Sequence, residues 1–281
     1  MIAPVMPRLM AVPIAAMLGL AIGCGDSKPA TQPSPANPPA GFSLAGDPTS
    51  ANGATWTFQA TTGGVTYDLQ GILLKPAGSG TFPAAIVSHG AGGNSNGYSR
   101  TIARTMVAWG LVVIATNYTH AGNAPVGSPG TAAEPGASAA NIARARQLVE
   151  LLRGLGYVDM NRIALHGHSM GAFVTAGVLG AYPDVFRAAS HTAGGTRPDS
   201  VPGAAPSDSQ AATIRTPYQL HHGDSDNVVA LLSDQRLATV LLSHGVVHEL
   251  HVYLGADHDD MSQNAVMLDR VRAWYTSKGI F

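Results

Sequence analysis

From residue 55 onward, hydrophobic and polar positions follow two different rhythms. Trp56–Thr61 and Val65–Leu74 are β-rich runs on either side of Gly63-Gly64 and predict an antiparallel pair. Beyond them come compact apolar runs without alternation: Ala84–Ser88, Leu111–Thr116, Ile163–His166, Phe186–Ser190, Tyr218–His221 and Leu250–Leu254. Such runs predict strands covered on both faces. Longer stretches with three- and four-residue spacing lie between them. The clearest is Ser138–Leu155, where Ile142, Ala145, Leu148, Val149 and Leu152 recur on one face; Ser138 stands where an N-cap belongs, and Gly154 or Gly156 where the helix stops. Arg100–Trp109, Gly171–Ala181, Leu231–Ser243 and Gln263–Ser277 predict further helices. Strand–helix alternation of this length predicts an α/β architecture, a mostly parallel sheet of about eight strands flanked by helices. No internal repeat is evident.

The first fifty residues follow neither rhythm. Met1–Arg8 is short and positively charged, and Leu9–Ile22 is apolar. That run makes about 21 Å of helix against roughly 30 Å of hydrocarbon, so it reads as a secretory signal over residues 1–23 and not as a membrane span. Ala21-Ile22-Gly23-Cys24 resembles the bacterial lipoprotein box, which implies lipidation of Cys24 and a cell-envelope location. The alternative is an ordinary cleaved signal releasing a periplasmic or secreted protein. Residues 24–54 carry Pro29, Pro33, Pro35, Pro38, Pro39 and Pro48 and read as a solvated tether, leaving 55–281 as the folded domain.

Composition narrows the chemistry. The 281 residues are 45% hydrophobic and 12% charged, with a formal net charge of −1. This balance leaves no clustered cations for phosphate, so no nucleic-acid partner is expected. With a single cysteine, neither an internal disulfide nor a thiolate zinc site can form. Membrane contact is expected only through a lipidated Cys24, and the protein is expected to be a monomer without cofactor or metal. A site built from His221, His222 and Asp224 is the one metal arrangement the histidine pattern suggests, and the spacing of a metalloprotease helix is absent.

Four motifs carry candidate chemistry. Gly167-His168-Ser169-Met170-Gly171 fits G-x-S-x-G, in which glycines leave room for a sharp strand-to-helix turn around a serine. Gly93-Asn94-Ser95-Asn96-Gly97 fits the same pattern, but Ser95 sits in a polar loop whereas Ser169 follows a strand and precedes an apolar helix. His89-Gly90-Ala91-Gly92-Gly93 follows the first strand of the parallel series. The Tyr218–His221 strand runs into Gly223-Asp224-Ser225-Asp226-Asn227-Val228-Val229, and the last strand into Gly255-Ala256-Asp257-His258. A serine needs an imidazole to take its proton, and the imidazole needs a carboxylate to fix its tautomer.

In their order and strand contexts these segments resemble the α/β-hydrolase superfamily over about residues 55–281, within it the dienelactone-hydrolase and polyester-hydrolase branch. The resemblance implies an α/β-hydrolase fold with Ser169 as nucleophile, Asp226 as acid (Asp224 being the neighbouring alternative) and His258 as base. It also implies oxyanion donors at the N–H groups of Met170 and Ala91, with Gly92 the alternative to Ala91. Dienelactone hydrolases carry a cysteine nucleophile where this chain has serine, and many polyester hydrolases carry a disulfide that one cysteine cannot make. His166 and His168 are expected to shape the elbow, and His248 and His251 to be structural. Residues 193–217, where related folds insert a lid, are too few for a helical cap, so an open site is expected, with residues 122–136 a second variable loop at its edge. The implied activity is hydrolysis of short to medium acyl esters, including bulky or polymeric ones, through an acyl-enzyme. A peptidase or acyltransferase would use the same three residues, and a binding lipoprotein on this scaffold would need none of them.

Overall fold

A computed structural model describes residues 38–123, 126, 131 and 133–281. The signal segment, Cys24 and the tether up to residue 37 lie outside the described residues. In chain order the elements are β1 (Ser43–Ala45), β2 (Ala54–Thr62), β3 (Val65–Leu74), β4 (Phe82–Ser88), α1 (Arg100–Ala108), β5 (Val112–Thr116), α2 (Ala139–Gly154), β6 (Val158–His168), α3 (Met170–Ala181), β7 (Ala188–Thr192), α4 (Asp208–Ala211), β8 (Tyr218–Gly223), α5 (Leu231–Ser243), β9 (His248–Tyr253) and α6 (Ala265–Ser277). The strands form one sheet in the order β1-β2-β3-β5-β4-β6-β7-β8-β9. The β1/β2, β2/β3 and β3/β5 pairs are antiparallel, and every pair from β5 to β9 is parallel.

The apolar runs become central strands because both faces of the sheet are covered. In β4, Ala84 and Ile86 enter one core cluster while Ala85 and Val87 enter the other. The first cluster packs α2, α3 and α5 through residues such as Leu148, Leu152, Val174, Leu237 and Leu241. The second packs α1 and α6 through Ile102, Met106, Met267, Val271 and Trp274. Each such Leu or Ile, fully buried, contributes roughly 1.5–3 kcal/mol. By contrast β2 alternates, with Trp56 and Phe58 buried and Thr55 and Thr57 exposed, as suits a sheet margin open on one side. Ser138 caps α2 by accepting the Asn141 N–H.

Two features depart from the expected elements. Ser43–Ala45 lies inside the stretch read as tether yet pairs with Thr55–Thr57, with the Phe42 ring tilted against that of Trp56 at 6.3 Å between centroids, so the chain joins the sheet before residue 54. β7 begins at Ala188 and continues through His191 and Thr192; these side chains are buried because each has a hydrogen-bond partner, which apolar patterning does not register. Residues 193–217 form no helical cap, in line with their length. They contain α4 and lie against α5: Thr196 Oγ1 donates to Asp208, Arg236 of α5 pairs with Asp208 at 3.0 Å, and Arg197 and Ser207 form a bridge.

The order β5-β4-β6 places the reversal of chain direction at β4. The crevice outside the carboxyl ends of β4 and β6 is where open α/β sheets receive ligands, and β8 and β9 end on the same edge.

Candidate active site

The loop after β6 turns so tightly that only particular residues fit. A Cβ on Gly167 would lie 2.2 Å from the Gly171 carbonyl oxygen, and one on Gly171 would lie 2.2 Å from the Ser88 carbonyl oxygen. Ser169 itself takes φ 56° and ψ −120°, a region costly for an L side chain. The strain is held by its surroundings, since the Ser169 N–H donates to the Thr192 carbonyl at 2.9 Å and α3 starts at the next residue. The turn lifts the Ser169 hydroxyl out of the sheet at the head of that helix.

Two later strands deliver the partners. Ser169 Oγ is 2.9 Å from His258 Nε2, and His258 Nδ1 is 2.7 Å from Asp226 Oδ2. The Nδ1–H donates to the carboxylate, which leaves Nε2 to accept the serine proton. The other oxygen of Asp226 accepts the Val228 and Val229 N–H groups, each at 2.8 Å. Burial raises the Asp226 pKa, but the His258 hydrogen bond and these two amides prevail and hold it below the usual carboxylate range. Asp224, the neighbouring alternative, is exposed and accepts the Gly255 N–H at 2.7 Å, tying the β8 loop to the β9 loop. Ser95, the second serine in a G-x-S-x-G pattern, is buried and donates to Asn117 Oδ1 at 2.9 Å, an amide oxygen and not an imidazole.

The loop after β4 is braced from behind. His89 Nε2 accepts the Tyr118 N–H, and His120 Nε2 donates to the His89 carbonyl. The Gly92 N–H is engaged with the His120 carbonyl and the Gly93 N–H with the Gly90 carbonyl. Among the described residues the N–H groups of Ala91 and Met170 have no such partner. Both therefore stay available beside Ser169, whereas Gly92 is committed to holding the loop.

His168 and Tyr98 form a wall. The His168 ring lies 4.9 Å from that of His258 and 5.5 Å from that of Tyr98, and its Nδ1 meets Thr192 Oγ1 at 2.8 Å. Burial, with the neighbouring His258, pushes its pKa down to about 3, so it is a neutral ring. His166 contacts Ser190 and the Tyr98 hydroxyl and is likewise pushed down to about 3 by burial. The open cleft in front, with a volume of about 420 Å³, is floored by Gly90, Ala91 and Gly93 and edged by Asn96, Tyr98 and Gln263. No residue of 193–217 lines it, and most of residues 124–132 lie outside the described residues. His221, His222 and Asp224 turn to separate partners (Tyr253 and Gln219, Asp234, and Gly255) and do not converge on one point.

One group escaped the sequence reading. Asp234, on α5, is fully buried, with Oδ1 2.7 Å from His191 Nε2 and Oδ2 2.7 Å from His222 Nδ1. A signal existed: Asp234, Leu237 and Leu241 share the buried stripe of α5, and an acid there requires polar partners.

A parallel sheet with a serine on a strand-to-helix elbow, and histidine and aspartate at the ends of later strands, defines a serine hydrolase of the α/β-hydrolase fold. The model of the dienelactone hydrolase family matches residues 69–268, and the chain belongs to that family. Among solved structures it is similar to a cold-adapted esterase from an Arctic intertidal metagenomic library, with 17% identity and a TM-score of 0.59 over 79% of this chain and 94% of that one. It is similar also to an S-formylglutathione hydrolase from Agrobacterium tumefaciens, at 15% identity and TM-score 0.61 over 84% and 99% of the two chains. Porphyromonas gingivalis dipeptidyl peptidase 4 shares the fold at 14% identity and TM-score 0.63 over 79% of this chain, which spans only 35% of that larger chain. No curated protein matches the sequence significantly.

Proposed function

We propose that the protein is a serine carboxylic-ester hydrolase acting through an acyl-enzyme on short to medium acyl esters. The observation that carries this reading is the continuous hydrogen-bonded chain Asp226–His258–Ser169 ending in an open cleft beside two unengaged N–H groups. In the first half-reaction His258 takes the Ser169 proton as Oγ attacks the ester carbonyl. The tetrahedral oxyanion is held by the Met170 N–H, at the positive end of α3, and by the Ala91 N–H; one such donor is typically worth 10²–10³ in rate. His258 then protonates the departing alcohol, and the same relay activates water to release the acid.

The cleft supports neutral, compact substrates. Its floor is glycine and alanine backbone, its rim carries hydroxyl and amide side chains and one carboxylate, Asp259, and among the described residues no lysine or arginine lines it to clamp an anionic group. Its openness suits bulky or polymeric esters as well. The neighbours named as an esterase and as an S-formylglutathione hydrolase are matched over nearly their whole lengths, which favours ester-type over peptide chemistry. With Cys24 lipidated and the proline-rich stretch after it as spacer, the hydrolase would face its substrates from the cell envelope.

A series of p-nitrophenyl esters tests the substrate class. Acetyl to octanoyl esters are expected to give the highest kcat/KM and palmitoyl esters a value lower by about tenfold or more, since the described lining beside Ser169 is mostly backbone and polar side chains. A strict requirement for long chains, or equal turnover of matched p-nitroanilides, would overturn it.

A further inference from the structure

Behind the candidate triad lies a second polar chain that ester hydrolysis does not by itself require. His222, at the end of β8, is fully buried. Its Nδ1 is 2.7 Å from Asp234 Oδ2, and its Nε2 is 2.8 Å from the Val229 carbonyl and 3.4 Å from Asp226 Oδ2. A carbonyl and a carboxylate only accept. With acceptors facing both nitrogens, the ring satisfies its surroundings only when both carry protons. The remaining contacts of Asp234 fit an ionised carboxylate: His191 Nε2 donates to Oδ1 at 2.7 Å and the Gly194 N–H reaches Oδ2 at 3.4 Å. The Tyr218 hydroxyl donates to His191 Nδ1, which lets His191 serve as a neutral donor.

We infer that His222 is a positioning residue, a buried imidazolium shared between Asp226 and Asp234 that holds the triad acid ionised and aimed at His258. This rests on the reading of Ser169, His258 and Asp226 as the triad. The groups facing His222 are Asp226 from its own loop, Asp234 from α5 with His191 of β7 behind it, and neutral His168 from β6, with His258 beyond Asp226. Burial alone would pull the His222 pKa down, but the Asp234 hydrogen bond and charge prevail and raise it. In the resting site two carboxylates thus share one cation. When His258 takes the serine proton a second cation forms, and the buried cluster becomes balanced. The cost is basicity, because a cation beside Asp226 weakens its support for protonated His258. Asp234 acts one step further back, through His222.

Nitrogen-15 correlation spectra of the full chain, labelled at histidine, read the charge of His222 directly in the wild type at about pH 7.5, where an unperturbed histidine is neutral. One buried ring is expected to show both nitrogens protonated, and Asp234→Asn is expected to return it to the neutral form. In the pH profile of kcat/KM, both His222→Gln and Asp234→Asn are expected to move the acid limb upward, His222→Gln by about half a pH unit or more, as removal of a cation near His258 requires. A neutral His222 in the wild type overturns the inference even if His222→Gln fails to fold. A charged His222 with an unmoved acid limb in folded Asp234→Asn overturns its positioning role. The spectra need no turnover, so failure of the triad itself, seen as an active Ser169→Ala, is a separate result.

Discussion

Replacing Ser169 with alanine is expected to lower kcat on an activated ester by roughly 10⁴- to 10⁶-fold while leaving KM within a few-fold, because the proposed mechanism then loses its nucleophile while the cleft stays intact. His258→Ala is expected to fall nearly as far, and the double variant no further, since the two act as one unit. The contrast is Ser95→Ala. Its hydroxyl donates to Asn117 inside the protein, so its loss is expected to cost about 1 kcal/mol of stability and little activity. Steady-state kinetics with a burst-phase titration of active sites check the activities of all four variants, and urea unfolding checks the stability of Ser95→Ala. Ser169→Ala within tenfold of wild type would remove Ser169 from the mechanism.

The second large effect is acid unfolding. Burial pushes His89, His166 and His168 down to about 3 and His120 down to about 4, and drives His221 down as well. In the unfolded chain each ring takes up a proton near pH 6.5, whereas in the folded chain each stays neutral until its depressed pKa. Their stabilisation is therefore complete above about pH 6.5 and is lost as the pH falls below it. Each ring costs about 1.4 kcal/mol per pH unit in that window. Several rings together remove several kcal/mol by about pH 5, a large share of the 5–15 kcal/mol that holds a domain. The lowered carboxylates Asp226 and Asp234 extend the loss below about pH 4. His222 alone among these groups opposes it: its pKa is raised, so its contribution is full below the unfolded value and disappears as the pH rises through the folded one. Urea unfolding midpoints are expected to fall steeply between about pH 7 and about pH 5. Equal midpoints would show that these rings are not buried neutral.

The parts of this architecture that were legible in the sequence are those where one physical demand dominates. Strands covered on both faces must be apolar, so Ala84–Ser88 and Tyr218–His221 stood out, and α5 keeps the expected bounds of Leu231–Ser243. The elbow was legible because backbone passes so close to Gly167 and Gly171 that no other side chain fits. Asp226 and His258 could be placed because the fold sets them at the ends of consecutive strands, and they do meet. What stayed hidden was held by pairwise polar contacts. β7 reaches past Ser190 because His191 and Thr192 find partners on the neighbouring strands, Tyr218 of β8 and His168 of β6. β1 is a three-residue edge strand with little to bury. The choice between Ala91 and Gly92 turned on whether one N–H was already engaged. Asp234 belongs to no motif, and its role depends on His191 and His222, which come from two other elements to meet it.

The central claim is that the Ser169 hydroxyl is the group that forms the acyl-enzyme. Labelling the folded protein with a fluorophosphonate ester and mapping the adduct by peptide mass spectrometry tests it most directly. The account predicts a single stoichiometric adduct on Ser169, slowed by about 10²-fold or more in His258→Ala and absent in Ser169→Ala. An adduct on Ser95 or another hydroxyl, or no adduct in a folded, ester-hydrolysing protein, would contradict it.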